Sequence, residues 1–295
     1  MQWLVILDPI EGLLEATDTS LAIIRQARLQ GIEVDTTTMD LLHFSGKPLV
    51  IGRAQDGKEH CRALDEYDLI FMRKEPPYDL AFHYATQLLS LADTPVVNSP
   101  ESLRNFNEKL IALPFAAYMP PTLVSASPQL IKDFIDQHGS CVIKSLDSFQ
   151  GKSVLRLEPG EDEPVLEFTD GGRSPVMVQK FLERVYEGDK RVIMLGERVL
   201  GAAMRKPRSG YHANFASSDA LKTSLTPREQ QIVDEVGPWM VKQGIHFSGL
   251  DFIGESLTEI NITCPTGIIQ ISKLDETDLP RQIVDYFVTC IQRKS

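Results

Sequence analysis

Residues Gly249–Gly267 read GLDFIGESLTEINITCPTG, and the rest of the chain can be interpreted around them. The pattern predicts two antiparallel strands that carry Asp251, Glu259 and Asn261. Glu259 and Asn261 are two residues apart, so they share one face of a strand. Asp251 reaches that face, opposite Asn261, only if the connection has an odd length, such as Glu255–Leu257. Two carboxylates and an amide oxygen suit Mg²⁺ bound to phosphates; an exposed hairpin with solvated acids is the alternative.

Length and composition indicate a globular protein. The chain has 295 residues, 42% hydrophobic and 24% charged, which is enough for two or three packed units. The net charge of −11 argues against a nucleic acid as partner, because phosphate backbones need a basic surface. No apolar run approaches the roughly 18 residues of a membrane helix, so no membrane partner is expected.

Cysteine usage favours a reducing, cytoplasmic setting. None of the four cysteines belongs to a CxxC pair, so a structural zinc site is not expected. Cys264 lies in the opening stretch, where it is either a small buried residue or a residue with a role in the site.

The first unit, residues 1–120, alternates strands and helices. Trp3–Leu7 and Tyr67–Met72 are apolar runs typical of buried parallel strands, and helical patterns follow them. This alternation predicts a doubly wound α/β sheet, whose ligands gather at the carboxyl ends of the strands. Asp8 and the turn Arg73–Pro77 therefore lie on the candidate binding edge. No GxGxxG follows Asp8, so a dinucleotide fingerprint is absent.

Pro120-Pro121 breaks the chain and marks a domain boundary. A small α+β unit follows over residues 121–187, in which residues 158–174 are expected to be an exposed excursion. A third unit, residues 188–295, begins with a hairpin. Its polar segment 207–226 has no clear period, and a loop of that length is usually functional or disordered.

Several cations are candidates for anion binding. Lys144 ends a strand just before the small polar loop 148–153, which could cradle phosphates through its backbone N–H groups. Lys109 lies in a helical pattern. Arg191 and Arg205 lie on the two arms of one hairpin, and Arg suits carboxylate and phosphate groups. Taken singly, each of these is more often a solvated surface residue.

The order of these features is more specific than any one of them. A doubly wound unit, two lysines, a strand-end segment, arginines and finally Asp with Glu-x-Asn resembles the ATP-grasp ligases, and among them the bacterial glutathione synthetase family over nearly the whole chain. The residues that carry the resemblance are Asp8-Pro9-Ile10, Met72–Pro77, Asn98-Ser99-Pro100, Ser102-Leu103-Arg104, Asn107-Glu108-Lys109, Lys144–Asp147, Gly188–Val192, Gly249-Leu250-Asp251, Thr258–Asn261, Thr263 and Pro265-Thr266.

The resemblance implies a site for each reactant. The implied ATP contacts are Lys109, Lys144, Ser148, Gly151, Ser153, Gln179, Lys180, Phe181, Leu182 and Asp189. The implied substrate contacts are Arg73, Lys74, Asn214, Pro265 and Thr266. Asp251, Glu259 and Asn261 would hold Mg²⁺, or Mn²⁺. Arg191 and Arg205 would stabilise an acyl phosphate.

The resemblance also implies an activity. ATP would activate the cysteinyl carboxylate of γ-glutamylcysteine, and glycine would displace phosphate to give glutathione, in a cytoplasmic homotetramer or dimer. The chain departs from the family pattern at residues 148–150, 208–215 and 264–270. These departures leave two alternatives open: a related ligase with another dipeptide or amine, and a nucleotide-binding homologue without turnover.

Overall fold

The computed structural model describes residues 1–146, 154–215 and 217–292 of the chain. One β-sheet lies in each of the three predicted units. The mixed α/β architecture agrees with the predicted fold class, while the boundaries at residues 120 and 187 stay a prediction. No helix in the described ranges is both long and apolar enough to cross a membrane.

The first unit is built around a mainly parallel sheet. Its strands and helices are β1 (Gln2–Ile6), α1 (Thr19–Leu29), β2 (Glu33–Thr37), β3 (Leu42–Phe44), β4 (Pro48–Arg53), β5 (Glu59–Ala63), β6 (Leu69–Met72), α2 (Leu80–Leu89), β7 (Val96–Val97) and α3 (Pro100–Asn105). The strand order is β3-β4-β2-β1-β6-β7, with β5 paired to β4. Strands β2, β1, β6 and β7 are parallel, as predicted. The antiparallel extension β3–β5 was not predicted.

Strand β1 is apolar from Trp3 to Ile6 because helices cover both of its faces. Trp3, Val5 and Leu7 belong to a core that includes residues of α1, whereas Leu4 and Ile6 belong to a core that includes residues of α2. Alternate side chains of a strand point to opposite faces, so helices lie on both faces of this sheet. This is the doubly wound arrangement.

The second unit is a small antiparallel sheet with two helices. Its elements are β8 (Thr122–Ser125), α4 (Pro128–His138), β9 (Cys141–Ser145), β10 (Val154–Leu157), α5 (Asp162–Phe168) and β11 (Val176–Lys180). The strand order is β10-β9-β11-β8. Helix α5 corrects the expected exposed excursion, because its Val165 is fully buried in the core of this unit.

The third unit is an antiparallel sheet flanked by helices. Its elements are β12 (Asp189–Leu195), β13 (Arg198–Pro207), β14 (Ser218–Lys222), α6 (Pro227–Lys242), β15 (Phe247–Ile253), β16 (Ser256–Asn261), α7 (Ile268–Asp275) and α8 (Leu279–Gln292). The strand order is β14-β13-β12-β15-β16. Strand β14 pairs with β13, so the irregular part of the predicted loop 207–226 is shorter than expected.

The first and third units share their hydrophobic cores. Leu4 packs in one core with Leu250, and Trp3 packs in the other with Phe247 and Ile283. The second unit has a separate core. The first and third units therefore form one body, and the second unit contacts it through Met177, which lies in the same core as Leu4 and Leu250.

Candidate active site

The hairpin β15–β16 reaches its functional register through a bulge rather than through its turn. The connection is Gly254-Glu255, and Ile253 pairs with Ser256. The predicted odd-length connection is therefore wrong. One extra residue, Thr258, shifts the register so that Asp251 lies opposite Glu259, not opposite Asn261. The bulge places Asp251, Glu259 and Asn261 on one face, as expected, while Leu257 faces the core.

Asp251 lies in a buried cluster with two arginines and a second aspartate. Arg191 Nε and Nη2 donate to the two carboxylate oxygens of Asp251 at 2.5 and 2.9 Å. Arg205 Nη2 lies 2.7 Å from Asp189 Oδ1 and 3.0 Å from Asp251 Oδ1. The sheet register explains the cluster, because Asp189 pairs with Arg205 and Arg191 pairs with Asp251.

The charges of this cluster determine its protonation. Burial tends to raise the pKa of Asp251, but the positive charges of Arg191 and Arg205 outweigh it and lower the pKa to about 2. Burial raises the pKa of Asp189 to about 6 against the opposing charge of Arg205. Both carboxylates are therefore ionised at neutral pH, and both arginines are held in fixed directions.

The remaining oxygen donors lie beside this cluster. Asn261 Nδ2 donates to Asp251 Oδ2 at 3.1 Å, and Glu259 Oε1 lies 4.0 Å from Lys109 Nζ. Glu259 and Asn261 line the cleft described below. The structure brings no three His, Cys, Asp or Glu residues together as a metal site among the residues it describes. Two carboxylates and one amide on a single face nevertheless fit Mg²⁺, whose other ligands are commonly phosphates and water.

Lys144 on β9 contacts Gln179 on the neighbouring strand β11. Its Nζ donates to Gln179 Oε1 at 2.7 Å, and Gln179 Nε2 donates to Thr122 Oγ1 at 3.1 Å. Burial lowers the pKa of Lys144, and the nearby carboxylate of Glu259 partly opposes this effect. An anion that binds beside this lysine favours its charged form. The predicted phosphate-loop residues Ser148, Gly151 and Ser153 lie outside the described residues.

Pro121 shapes the strand end at Lys180. The Lys180 N–H donates to Pro121 O at 3.0 Å, and the Phe181 N–H donates to Ser140 O at 2.9 Å. The reciprocal ladder bond to the carbonyl of Lys180 is not made, because proline has no N–H. Lys180 and Leu182 both line the cleft.

A cleft of about 830 Å³ joins all three units. Its walls contain most of the predicted site residues: Lys109, Lys144, Gln179, Lys180, Phe181, Leu182, Asp189, Arg191, Arg205, Asn214, Asp251, Glu259, Asn261 and Thr266. Residues of the first unit, including Asp18 and Glu75, close one end. The structure thus brings the predicted ATP, metal and acyl-phosphate residues into one space.

Arg73 does not line this cleft, in contrast to its predicted contact with substrate. Its side chain is only 2% exposed and lies near the rings of Phe71 and Phe247, 5.7 and 5.4 Å from their centroids. Nε donates to Ser20 Oγ at 3.0 Å, and Nη2 donates to Pro265 O at 2.9 Å. Arg73 therefore holds the chain that follows the metal-ligand strand, and the carbonyl of Pro265 is occupied by it.

Lys74 also faces protein groups. Its Nζ forms an ion pair with Asp8 Oδ1 at 2.9 Å and donates to the carbonyl of Glu75. Burial raises the pKa of Glu75, and the carboxylates of Asp8 and Asp18 raise it further. The first unit therefore presents an acidic wall to the cleft rather than the basic turn that the sequence suggested.

Glu108 and Gln270 line the cleft and were not among the predicted site residues. Glu108 Oε1 accepts hydrogen bonds from the backbone of Ile262 and from the backbone and hydroxyl of Thr263. Gln270 lies in the first turn of α7 and lines the cleft. Both residues have weak signals in the sequence: Glu108 precedes Lys109 in the quoted motif, and Gln270 lies in a segment that departs from the family pattern.

Residues 211–215 line the cleft. Tyr211 Oη accepts from the Arg156 N–H at 3.1 Å, and its ring lies 5.7 Å from that of Phe181 in the second unit. At the other end, the ring of Phe215 lies over Gly267, where a Cβ would be only 2.3 Å from Phe215 Cε2. The segment therefore bridges the second unit and the start of α7.

The fold is that of an ATP-grasp enzyme. The crystal structure of D-cycloserine synthetase matches with a TM-score of 0.72 and 14% identity over 98% of this chain and 99% of that one. A structure of the ATP-grasp ligase PsnB with a minimal precursor matches with a TM-score of 0.67 and 16% identity, and the match covers 97% of this chain and 98% of that one. At these identities the likeness shows the fold alone.

The sequence comparisons define the family. A family model described as prokaryotic glutathione synthetase, N-terminal domain, matches residues 1–104, and one for its ATP-grasp domain matches residues 108–276. The glutathione synthetase of Synechocystis sp. is 37% identical over 96% of this chain and 98% of its own length. The glutathione synthetase of Gloeobacter violaceus is 38% identical over 98% of this chain and 97% of its own length. The chain belongs to the prokaryotic glutathione synthetase family, which confirms the resemblance and implies the use of ATP and a divalent metal ion.

Proposed function

We propose that this chain joins γ-glutamylcysteine to glycine with ATP, through an acyl phosphate, to give glutathione, ADP and phosphate. One observation carries the proposal beyond family membership. Lys109, Lys144 and the oxygen donors Asp251, Glu259 and Asn261 come from all three units, and they meet in one cleft large enough for a nucleotide and a small peptide. The cleft offers what phosphoryl and acyl transfer need, which is position and charge neutralisation.

The nucleotide lies between the second and third units in this proposal. The carbonyl of Lys180, without its ladder donor, accepts from the adenine amino group, and the backbone of Leu182 completes the edge. Lys109 and Lys144 contact the phosphates. Binding of the phosphates would replace the contact of Lys144 with Gln179, which is an uncharged partner that can be released at low cost.

Mg²⁺ is the metal we propose, with Mn²⁺ as a substitute. When bound, it would neutralise phosphate charge next to Glu259 and Asn261. Asp251 could join them only by sharing or exchanging its contacts with Arg191 and Arg205. Glu259 and Asn261 are therefore the residues most ready to bind the ion.

Arg191 and Arg205 are placed to stabilise negative charge on the acyl phosphate. Their ion pairs with Asp189 and Asp251 fix both guanidinium groups before substrate binds, so little reorganisation is needed during reaction. In this proposal, residues 211–215 close over the cleft and keep water from the acyl phosphate. No protein nucleophile is required.

A phosphate-release panel tests this proposal. The purified chain with Mg²⁺ and ATP is given γ-glutamylcysteine and glycine, then other amines, then other γ-glutamyl dipeptides. Phosphate release that matches glutathione formation with the first pair supports the proposal. Faster release with another pair supports a related ligase, and ATP binding without release for any pair supports a homologue without turnover. No observation favours either alternative.

Assembly and location complete the proposal. We infer a homo-oligomer, a dimer or tetramer, in the cytoplasm. Leu80 and Tyr84 are exposed one turn apart on α2, and an apolar helix face of this kind is a candidate subunit contact. Light scattering of the purified protein would give the number of subunits.

A further inference from the structure

Gln270 lines the cleft and carries a buried hydrogen-bond acceptor. Its side chain lines the cleft from the first turn of α7, four residues after Thr266. Its Oε1 is buried and has no hydrogen-bond partner among the residues that the structure describes. A buried acceptor without a donor is unfavourable, so a bound molecule that brings a donor to this atom gains affinity.

The chemistry of the atom restricts what it can bind. Among the described cleft residues, a second buried polar atom also lacks a partner, Nε of Arg205. Arg205 Nε is a donor and suits the phosphate or carboxylate oxygens of the substrates. An amide oxygen accepts only, so Gln270 Oε1 requires an N–H, O–H or S–H group. Amine N–H groups occur on both amino-acid substrates.

The position of Gln270 selects between these amines. Arg191, the residue proposed to stabilise the acyl phosphate, lies with Nη1 3.4 Å from the carbonyl of Thr266. Thr266 precedes Gln270 by about one helical turn, and Phe215 covers Gly267 between them. Gln270 therefore lies about one helical turn from the residue that Arg191 contacts, on the side of the cleft where the acyl phosphate is proposed to form. The group that must approach the reacting carbonyl is the incoming amine.

We infer that Gln270 Oε1 accepts a hydrogen bond from the amine of the acceptor amino acid and directs its lone pair at the acyl phosphate. The inference rests on the proposed function. The neutral amine forms the new C–N bond, the C–O bond to phosphate breaks, and the amine loses one proton to the departing phosphate or to water. Gln270 takes no proton. An uncharged amide suits this step, because a carboxylate would favour the unreactive ammonium form.

Kinetics of two variants test this positioning role, with Gln282→Met on the exposed face of α8 as the matched control. Gln270→Met keeps the length of the side chain and removes the acceptor. We expect kcat/KM for glycine to fall about tenfold, while KM for ATP and for the dipeptide stays within about twofold. Gln270→Glu keeps an acceptor but favours the ammonium form, so its pH profile of kcat/KM for glycine should move to higher pH.

Each contrary outcome has a defined meaning. Unchanged glycine kinetics in Gln270→Met, with an active wild type, would overturn the inference and leave the proposed function intact. A rise in KM for the dipeptide alone would assign the atom to the γ-glutamyl ammonium group and also overturn it. Equal losses for all three substrates with a lower melting temperature would make Gln270 structural. If the wild type releases no phosphate with this substrate pair, the proposed function fails and the inference fails with it.

Discussion

Glu108 is the residue whose replacement tests the architecture of the site most directly. Its Oε1 accepts three hydrogen bonds, from the Ile262 N–H at 2.6 Å and from the Thr263 N–H and Oγ1 at 2.8 Å each. These two residues follow Asn261 in the chain. One carboxylate oxygen thus fixes the backbone where strand β16 leaves the metal-ligand positions, so Glu108→Ala should damage both stability and catalysis.

The magnitude follows from the three donors. Ile262 is fully buried and Thr263 is 6% exposed, so neither N–H reaches water in the folded state. Each buried donor left unpaired costs about 1–3 kcal/mol. Removing a buried carboxylate offsets part of this, and water can enter the space from the cleft. We expect a net loss of about 3 kcal/mol, which lowers the melting temperature by roughly 6–12 °C.

Glu108→Gln separates hydrogen bonding from charge. The amide keeps an oxygen at the same place, so the expected loss is about 1 kcal/mol or less. Glu33→Ala, at an exposed glutamate of β2, is the control. Thermal unfolding by circular dichroism and kcat with saturating substrates are measured for all four proteins. If Glu108→Ala melts within about 1 °C of the control, or if Gln is as damaging as Ala, the acceptor argument is wrong.

The pH dependence of stability provides a second test of the same residue. Burial raises the pKa of Glu108 above its ordinary value of 4.5, and the charge of Glu259 adds to the effect, although the hydrogen bonds oppose it. The folded state therefore holds this proton to higher pH than the unfolded state. The contribution of the group is fully present below 4.5 and is lost as pH rises through the raised pKa. The melting temperature of the wild type should fall relative to Glu108→Gln over that range.

Three further variants examine the phosphate and closure functions. Glu259→Gln should reduce kcat by at least about 100-fold with little change in melting temperature, since it removes metal charge from a cleft-facing side chain; normal activity at low Mg²⁺ would remove the metal assignment. Lys144→Met should weaken ATP binding about tenfold or more in calorimetry. Because burial lowers the pKa of Lys144, wild-type ATP affinity should also fall as pH rises through that lowered pKa, and the variant should lack this fall. Gly267→Ala should displace the ring of Phe215 and expose the acyl phosphate, so phosphate released per glutathione formed should exceed one; a ratio of one would show that this contact does not exclude water.

Local signals in the sequence predicted the elements that local interactions specify. Local signals define helix α4: Ser127 caps it, Pro128 occupies its first turn and Gly139 ends it with a positive φ of 76°. Strand β1 was predictable because burial on two faces makes it apolar from Trp3 onward. The order of cations and acids along the chain carried the family resemblance, and that resemblance implied most of the residues found in the cleft.

The features that were missed depend on residues distant in sequence. Arg73 follows a strand in a polar turn, which suggests exposure, but Phe247 and the carbonyl of Pro265 enclose it from the third unit. The bulge at Thr258 depends on pairing with Asp251 and is supported by a hydrogen bond from Thr258 Oγ1 to the Asp251 carbonyl at 3.0 Å. Neither contact leaves a periodic signal, so no pattern within one segment could indicate it.

The distribution of charge around the cleft explains how a chain with a net charge of −11 can bind a polyanion. Arg191 and Arg205 are balanced by Asp189 and Asp251, so this group is neutral, and its arginines are fixed rather than in excess. The charge available to phosphates comes from Lys109 and Lys144, and Glu259 lies beside them as the counter-charge in the free protein. The carboxylate of Glu259 repels phosphates in the free protein. A divalent cation bound to it would attract them instead. On this argument the metal and the nucleotide should bind with positive coupling, and Glu259 should carry more of that coupling than Asp251, whose charge is already neutralised by two arginines.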